Sequence, residues 1–287
     1  MQRITRNPPS DSFSTTIASY RAQVDVALQK ELSQRRESPF FVPFTDAFTG
    51  GKRLRPVLLL IAYDSVRGQD DDPLPAAVAV ELAHMESLIH DDIIDGDEAR
   101  RDATAFHARY GQEMALLSAD FILSMILSIA ARYSDLRIMS ALATATAQMC
   151  EGELMERLVG ETNETVPPEV YQRIVLKKTA SLFEAAATMG ALIGGATAVD
   201  LSALAAYARA LGVAYQIHDD ITDWEQSETI TLDQTDIHHS QKEYLFETAK
   251  EFVREAVDSL RPLKSSEAKR NLIQLAERVD TRAIHQL

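Results

Sequence analysis

The sequence predicts an all-α, single-domain bundle. Three observations carry that expectation. Apolar residues recur at helical spacing in nearly every long segment, no segment shows strand-like alternation, and no Gly/Ser-rich linker divides the chain. At 287 residues with a hydrophobic fraction of 46%, the chain can bury one substantial core.

The elements run in order along the chain. Residues 1–13 are expected to be a flexible N-terminal tail, because Arg6-Asn-Pro-Pro-Ser-Asp-Ser12 is polar and proline-broken; residues 14–287 then form the domain. A first amphipathic helix spans 14–37 and a second spans 53–67, entered through Gly50-Gly51. A third runs from Pro75 to Asp95. Further helices are expected at 112–132, 135–158, 168–194, 200–223, 240–260 and 265–285. Pro167-Pro168 and Asp200 mark two of the starts, since Pro lacks only an amide that the first turn leaves unpaired and Asp accepts from such amides. The apolar runs 121–131 and 185–199 fall short of the ~18 residues that cross a bilayer, so they read as buried bundle helices and no transmembrane segment is expected.

Charge and cysteine content narrow the partners. With 29 Lys and Arg against 43 Asp and Glu, the net charge of −14 argues against nucleic acid and anionic membranes. Small anionic substrates remain possible where basic residues gather. The single cysteine, Cys150, excludes an internal disulfide and favours a reducing, cytoplasmic setting; it is expected to be a small core residue. Residues 1–16 lack the apolar run of a secretory signal.

One duplication carries the chemistry. Ile89-His-Asp-Asp-Ile-Ile-Asp95 recurs as Ile217-His-Asp-Asp-Ile-Thr-Asp223, differing only at the sixth residue. On a helix, Asp91 and Asp95 lie one turn apart on one face, with Asp92 about 100° round from Asp91; Asp219, Asp220 and Asp223 repeat the layout. The flanks are apolar, as in Ala79-Val-Glu-Leu-Ala-His-Met85 and Ala210-Leu-Gly-Val-Ala-Tyr-Gln216. Burying unpaired carboxylates there would cost more than a domain's whole stability. Hard divalent cations holding a phosphate-bearing ligand between the two clusters remove the difficulty.

The acidic pair has company: Gly50-Gly-Lys-Arg-Leu-Arg-Pro56, His84, Arg100-Arg101, Lys177-Lys-Thr179 and Gln216. This set, in this order, resembles the class I trans-isoprenyl diphosphate synthases (polyprenyl synthetases) over roughly residues 45–224. The resemblance implies an isoprenoid-synthase helical bundle with a central cavity between two aspartate-rich helices, assembled as a homodimer. It implies an enzyme condensing isopentenyl diphosphate head-to-tail with an allylic diphosphate to give an all-trans prenyl diphosphate. Three Mg²⁺ ions are implied with the allylic diphosphate. Asp91, Asp95 and Asp219 match direct ligands; Asp92, Asp220 and Asp223 match residues that hold metal-bound waters or tune the site. Lys52, Arg55, His84 and Arg101 match the residues that take the isopentenyl diphosphate without metal. Arg100, Lys178, Thr179 and Gln216 match contacts of the allylic diphosphate. Glu153 falls where the family often has Gln or Glu, and Lys177 is expected to be solvated.

Two features depart from the family pattern. After Asp223 the family has a Gly/Lys-rich loop, but here Trp224 to Asp236 contains neither; the next lysine is Lys242, and His238-His239 are expected to be exposed. The fifth and fourth residues before the first motif, Glu86 and Ser87, occupy positions that set product length in the family. Neither is aromatic, which favours C20 or longer, with C15 open. A carboxylate there needs a partner or a proton. Two other readings compete. A class I terpene cyclase would not need Lys52, Arg55 and Arg101 and usually carries an Asn/Ser/Glu second motif. A regulatory subunit of a heteromeric synthase would commonly have lost aspartates.

Overall fold

The computed structural model describes residues 12–48, 50–96, 98–100, 103–161, 166–226 and 235–281, with the side chains of all of these except 100, 103, 225–226 and 235–241. In order they form α1 (Ser12–Ser33), α2 (Phe41–Ala47), α3 (Leu54–Val66), α4 (Leu74–Asp95), β1 (Ala99–Arg100), β2 (Ala103–Thr104), α5 (Phe106–Tyr110), α6 (Gln112–Ala130), α7 (Leu136–Gly160), α8 (Pro168–Val175), a π-helical turn (Leu176–Ala180), α9 (Ser181–Ile193), α10 (Ala198–Gln226), α11 (Thr235–Ser259) and α12 (Glu267–Asp280). The all-α expectation holds, and the long helices fall close to their expected places. The elements that periodicity did not indicate are short. These are α2, α5 and a two-residue antiparallel hairpin pairing Ala99 with Thr104 and Arg100 with Ala103. Seven or five residues carry too few turns for an apolar stripe to register.

The start of α1 lies inside the stretch expected to be tail, because Phe13 is fully buried in the core. α10 opens at Ala198, two residues before the start expected at Asp200: the Thr197 hydroxyl accepts from the Asp200 amide at 3.2 Å and donates to Asp200 Oδ2 at 2.8 Å, so Thr197 and not Asp200 takes the first-turn amide. The expected helix 168–194 is one path interrupted by the π turn.

α9 is the hub. All of it but Glu184 and Thr188 is buried, as expected of a helix that is apolar all round, and it packs on α3, α4, α7 and α10. At Gly190 an added Cβ would sit 2.2 Å from the Leu59 carbonyl oxygen, so glycine lets α9 press on the backbone of α3. Two apolar clusters meet on these helices. Leu59 and Leu182 belong to the cluster with Leu28, Phe44, Val80 and Ile122; Leu58 and Phe183 belong to that with Phe13, Tyr207, Leu211 and Leu272. The C-terminal parts of α4 and α10, the π turn, and the chain from Gly50 to Arg55 thereby border one cavity.

α6 is long and apolar enough, by length and composition alone, to cross a membrane, and under half of it is buried. The expected apolar run 121–131 is its C-terminal part. It packs on α4 and leaves Leu116, Leu117, Leu123 and Leu127 exposed.

Candidate active site

Asp91 and Asp92 on α4 and Asp219 on α10 line a single cavity of about 1300 Å³. The two copies of the acidic motif therefore share one space, the condition on which a bridging cation depends. Asp92 is buried; Asp95 and Asp223, nearer the helix ends, are exposed and lie outside the lining. Among the described residues no three His, Cys, Asp or Glu groups come close enough to hold a metal ion by themselves. Oxygen donors split between two walls suit Mg²⁺, which keeps several non-protein ligands and shares phosphate oxygens with protein carboxylates. The residues fit that ion, and they do not make a closed protein-only cage.

Asp220 is engaged differently. Tyr171 of α8 donates a short hydrogen bond to its Oδ2, and Gln216 Nε2 donates to its Oδ1 at 2.7 Å. Gln216 Oε1 in turn accepts from Thr179 Oγ1 at 2.8 Å. Burial pushes the Asp220 carboxyl above its ordinary range; the hydrogen bonds from Tyr171 and Gln216 oppose this, and neighbouring Asp219 adds to it. Burial and Asp220 together drive the Tyr171 phenol far up, so it remains a donor.

The π turn supplies the next side chains. Gly152 of α7 and Gly212 of α10 clasp it: a Cβ on the first would lie 2.4 Å from the Lys178 amide nitrogen, and one on the second 2.7 Å from Ala180 Cα. A π turn inserts an extra residue into the helix and re-aims the side chains beyond it. Here adjacent lysines diverge. Lys177 pairs with Glu151, while Lys178 enters the cavity and pairs with Glu153 at 2.6 Å and with Glu156. Burial disfavours the Lys178 charge, but Glu153 and Glu156 outweigh it, and its pKa rises. Thr179 is buried beside it. Lys177, expected to be solvated, is instead half-buried in its pair.

The cationic wall comes from the turn before α3. Gly50, Gly51 and Arg53 all have positive φ, 78°, 92° and 51°. The left-handed conformation costs a non-glycine residue about 1 kcal/mol or more. Arg53 is held there by hydrogen bonds to Asp25 at 2.9 Å, Glu81 at 2.6 Å and the Phe48 carbonyl at 2.5 Å. With Arg53 buried, Lys52 and Arg55 on either side of it line the cavity, as does His84. The Arg55 guanidinium lies 4.7 Å from the Phe183 ring centroid. The side chain of Arg100 and all of Arg101 lie outside the described residues, as do residues 227–234 and the side chains of His238 and His239.

Comparison with known proteins settles the family. A model of the polyprenyl synthetase family matches residues 40–275. The chain belongs to the polyprenyl synthetase family. It is 36% identical over 222 residues to a geranylgeranyl diphosphate synthase of Methanosarcina mazei, covering 75% of this chain and 68% of that one. Other curated relatives, 31–38% identical, are matched over only 51–59% of their length. The crystal structure of a decaprenyl diphosphate synthase from Rhodobacter capsulatus superposes with a TM-score of 0.85 at 25% identity, covering 96% of this chain and 99% of that one. A polyprenyl synthase from Caulobacter crescentus, complexed with calcium and isoprenyl diphosphate, shares the fold at 23% identity and a TM-score of 0.83, covering 96% and 99%.

In this polyprenyl synthetase several cavity residues carry no motif of their own. Arg109 lines the cavity while paired to Asp46 at 2.8 Å, and Arg157 donates to the Ile94 carbonyl at 3.0 Å. Thr146, Cys150, Glu153 and Arg157 line it together, and their spacing, three to four residues, was the available signal. Cys150 is exposed to this space and is not a core residue, because its side of α7 faces the cavity. Burial and Glu86 push its thiol up.

Away from the acidic motifs, α4, α6 and α7 contribute Met85, Glu86, Ser87, Leu123, Ala143, Ala147 and Met149. Glu86 has no ion-pair partner among the described residues. Burial first, and then Asp120, lift its carboxyl from the ordinary 4.5 to about 7. Of the two ways to tolerate a carboxylate there, the structure supports a proton and not a partner. Ser87 Oγ donates to the His84 carbonyl at 2.9 Å.

Proposed function

We propose that this polyprenyl synthetase is a Mg²⁺-dependent trans-prenyltransferase that joins isopentenyl diphosphate head-to-tail to an allylic diphosphate. One observation carries the reading: carboxylates from both acidic motifs line the same cavity as Lys52, Arg55 and His84. That space offers two places for diphosphate, one acidic and one cationic. Asp91, Asp95 and Asp219 are assigned as metal ligands, with Asp92, Asp220 and Asp223 supporting them and three ions expected with the allylic diphosphate. When bound, Mg²⁺ neutralises that diphosphate and makes it a leaving group. Lys178, Thr179 and Gln216 hold the same group and face the carbon that becomes cationic. Lys52, Arg55, His84 and Arg101 hold the second diphosphate, where Arg suits bidentate contact and Lys a point charge; Arg100 reaches the allylic side. The protein supplies position and field and no nucleophile.

Glu86 and Ser87 wall the part of the cavity that takes the growing chain. Neither is aromatic, and we assign a product of C20 or longer, C20 favoured, with C15 open. The exposed leucines of α6 support a homodimer, and the lone cysteine supports a cytoplasmic setting.

The test incubates the pure protein with Mg²⁺, isopentenyl diphosphate and C5, C10 or C15 allylic diphosphates and sizes the products. Chain growth is expected. Hydrocarbon from the allylic substrate alone would replace this reading with cyclisation, and turnover only with a second subunit would make the chain regulatory.

A further inference from the structure

We propose that Tyr171 is a positioning residue of the diphosphate site, its hydroxyl fixing the Asp220 carboxylate and, through it, the amide of Gln216. The inference rests on the function proposed for this site. Tyr171 is not among the residues lining the cavity, so it acts through others.

The hydrogen-bond order leaves little freedom. A carboxylate only accepts, so Gln216 must present its NH₂ to Asp220 Oδ1 and its carbonyl to Thr179, whatever the amide's assigned rotamer. The other Asp220 oxygen takes Tyr171. Three elements are tied by this chain: α8 through Tyr171, α10 through Gln216 and Asp220, and the π turn through Thr179. The tie crosses an irregular place, because the π turn lies between the Tyr171 helix and α9. The ring of Tyr171 packs on the apolar cluster of Val175, Ala180, Val213, Ile217 and Ile221, which sets where its hydroxyl points.

Geometry explains what the tie does: each Asp220 oxygen has one donor, Tyr171 on Oδ2 and Gln216 on Oδ1. Without the phenol one oxygen would lose its donor, and the carboxylate would turn towards any other cation or water. Gln216 would turn with it, and Thr179 would lose its acceptor. The side chains assigned to the allylic diphosphate would then have to be reordered on each binding event.

The experiment is Tyr171→Phe, which keeps the packing ring and deletes only the hydroxyl. Expected are a kcat lower by about tenfold, a several-fold higher half-saturating Mg²⁺ concentration, an unchanged KM for isopentenyl diphosphate, and an unchanged melting temperature without ligand. In an Asp220→Asn background the same substitution should add little, because the two act as one unit. Full kcat with wild-type Mg²⁺ dependence would overturn the proposal. So would a lowered melting temperature with all kinetic constants reduced alike, or additive losses in the double variant. A second readout separates this proposal from the proposed function: Mg²⁺-dependent thermal stabilisation by inorganic diphosphate. If the wild type elongates nothing but is stabilised, the functional reading fails while the tyrosine is still judged by whether Tyr171→Phe weakens that stabilisation. If the wild type is not stabilised at all, both fall.

Discussion

Asp91 and Asp219 face one cavity from two helices, and among the described residues neither has a protein-only metal cage around it. Removing either should leave the fold intact and lower turnover by about a thousandfold or more, since a bridging ion loses its anchor on one wall. Circular dichroism alongside steady-state rates checks this; mild losses at both positions would remove the metal role. Glu86 makes a second prediction. Its folded pKa of about 7 lies above the ordinary 4.5, so the native state binds this proton more tightly than the unfolded chain does. Its stabilising contribution is present in full below 4.5 and is lost as pH rises through 7. Urea midpoints of the wild type should therefore fall between pH 5 and pH 8 by more than those of Glu86→Gln; equal pH dependence would show that the carboxyl titrates normally. The acidic motifs and the lysine–threonine pair were legible as residues. That Asp220 accepts from Tyr171 was not, because Tyr171 lies on a different helix, 49 residues away in sequence.

At the scale of elements, close approach decides. Gly190→Ala would drive a methyl into the Leu59 carbonyl, and backbone on both sides cannot yield. A loss of about 3 kcal/mol is expected, at the upper end for overpacking, and an unchanged denaturation midpoint would contradict the α3–α9 contact. Gly152→Ala presses instead on the backbone of Lys178 and should reduce turnover along with stability. Helix positions were readable because long helices bury a continuous stripe; the capped start of α10 and the Pro167–Pro168 start of α8 carried local signals as well. The π turn had none. An extra residue in a helix leaves composition untouched, and only the contacts with Gly152 and Gly212 require it. The same holds for Arg53, whose left-handed backbone depends on Asp25 and Glu81 from distant segments.

For the whole molecule, α6 presents Leu116, Leu117 and Leu127 to solvent away from the cavity, apolar surface of the kind that marks an interface. If it joins two copies, Leu116→Arg with Leu127→Arg should halve the sedimenting mass; a wild-type mass of one chain would remove the dimer. The sequence by itself determined the fold class, the helix order and the duplicated acidic motif, because these depend on short-range periodicity and local residue identity; the residues proposed for the two diphosphates came from the family resemblance. Only the tertiary structure decided that the two acidic copies share a space, that Arg53 is buried against Asp25 and Glu81, that Cys150 looks into the cavity, and that Glu86 stands without a cation among the described residues. Each of those depends on which atoms from remote segments lie within a few ångströms, and a one-dimensional pattern does not contain that distance.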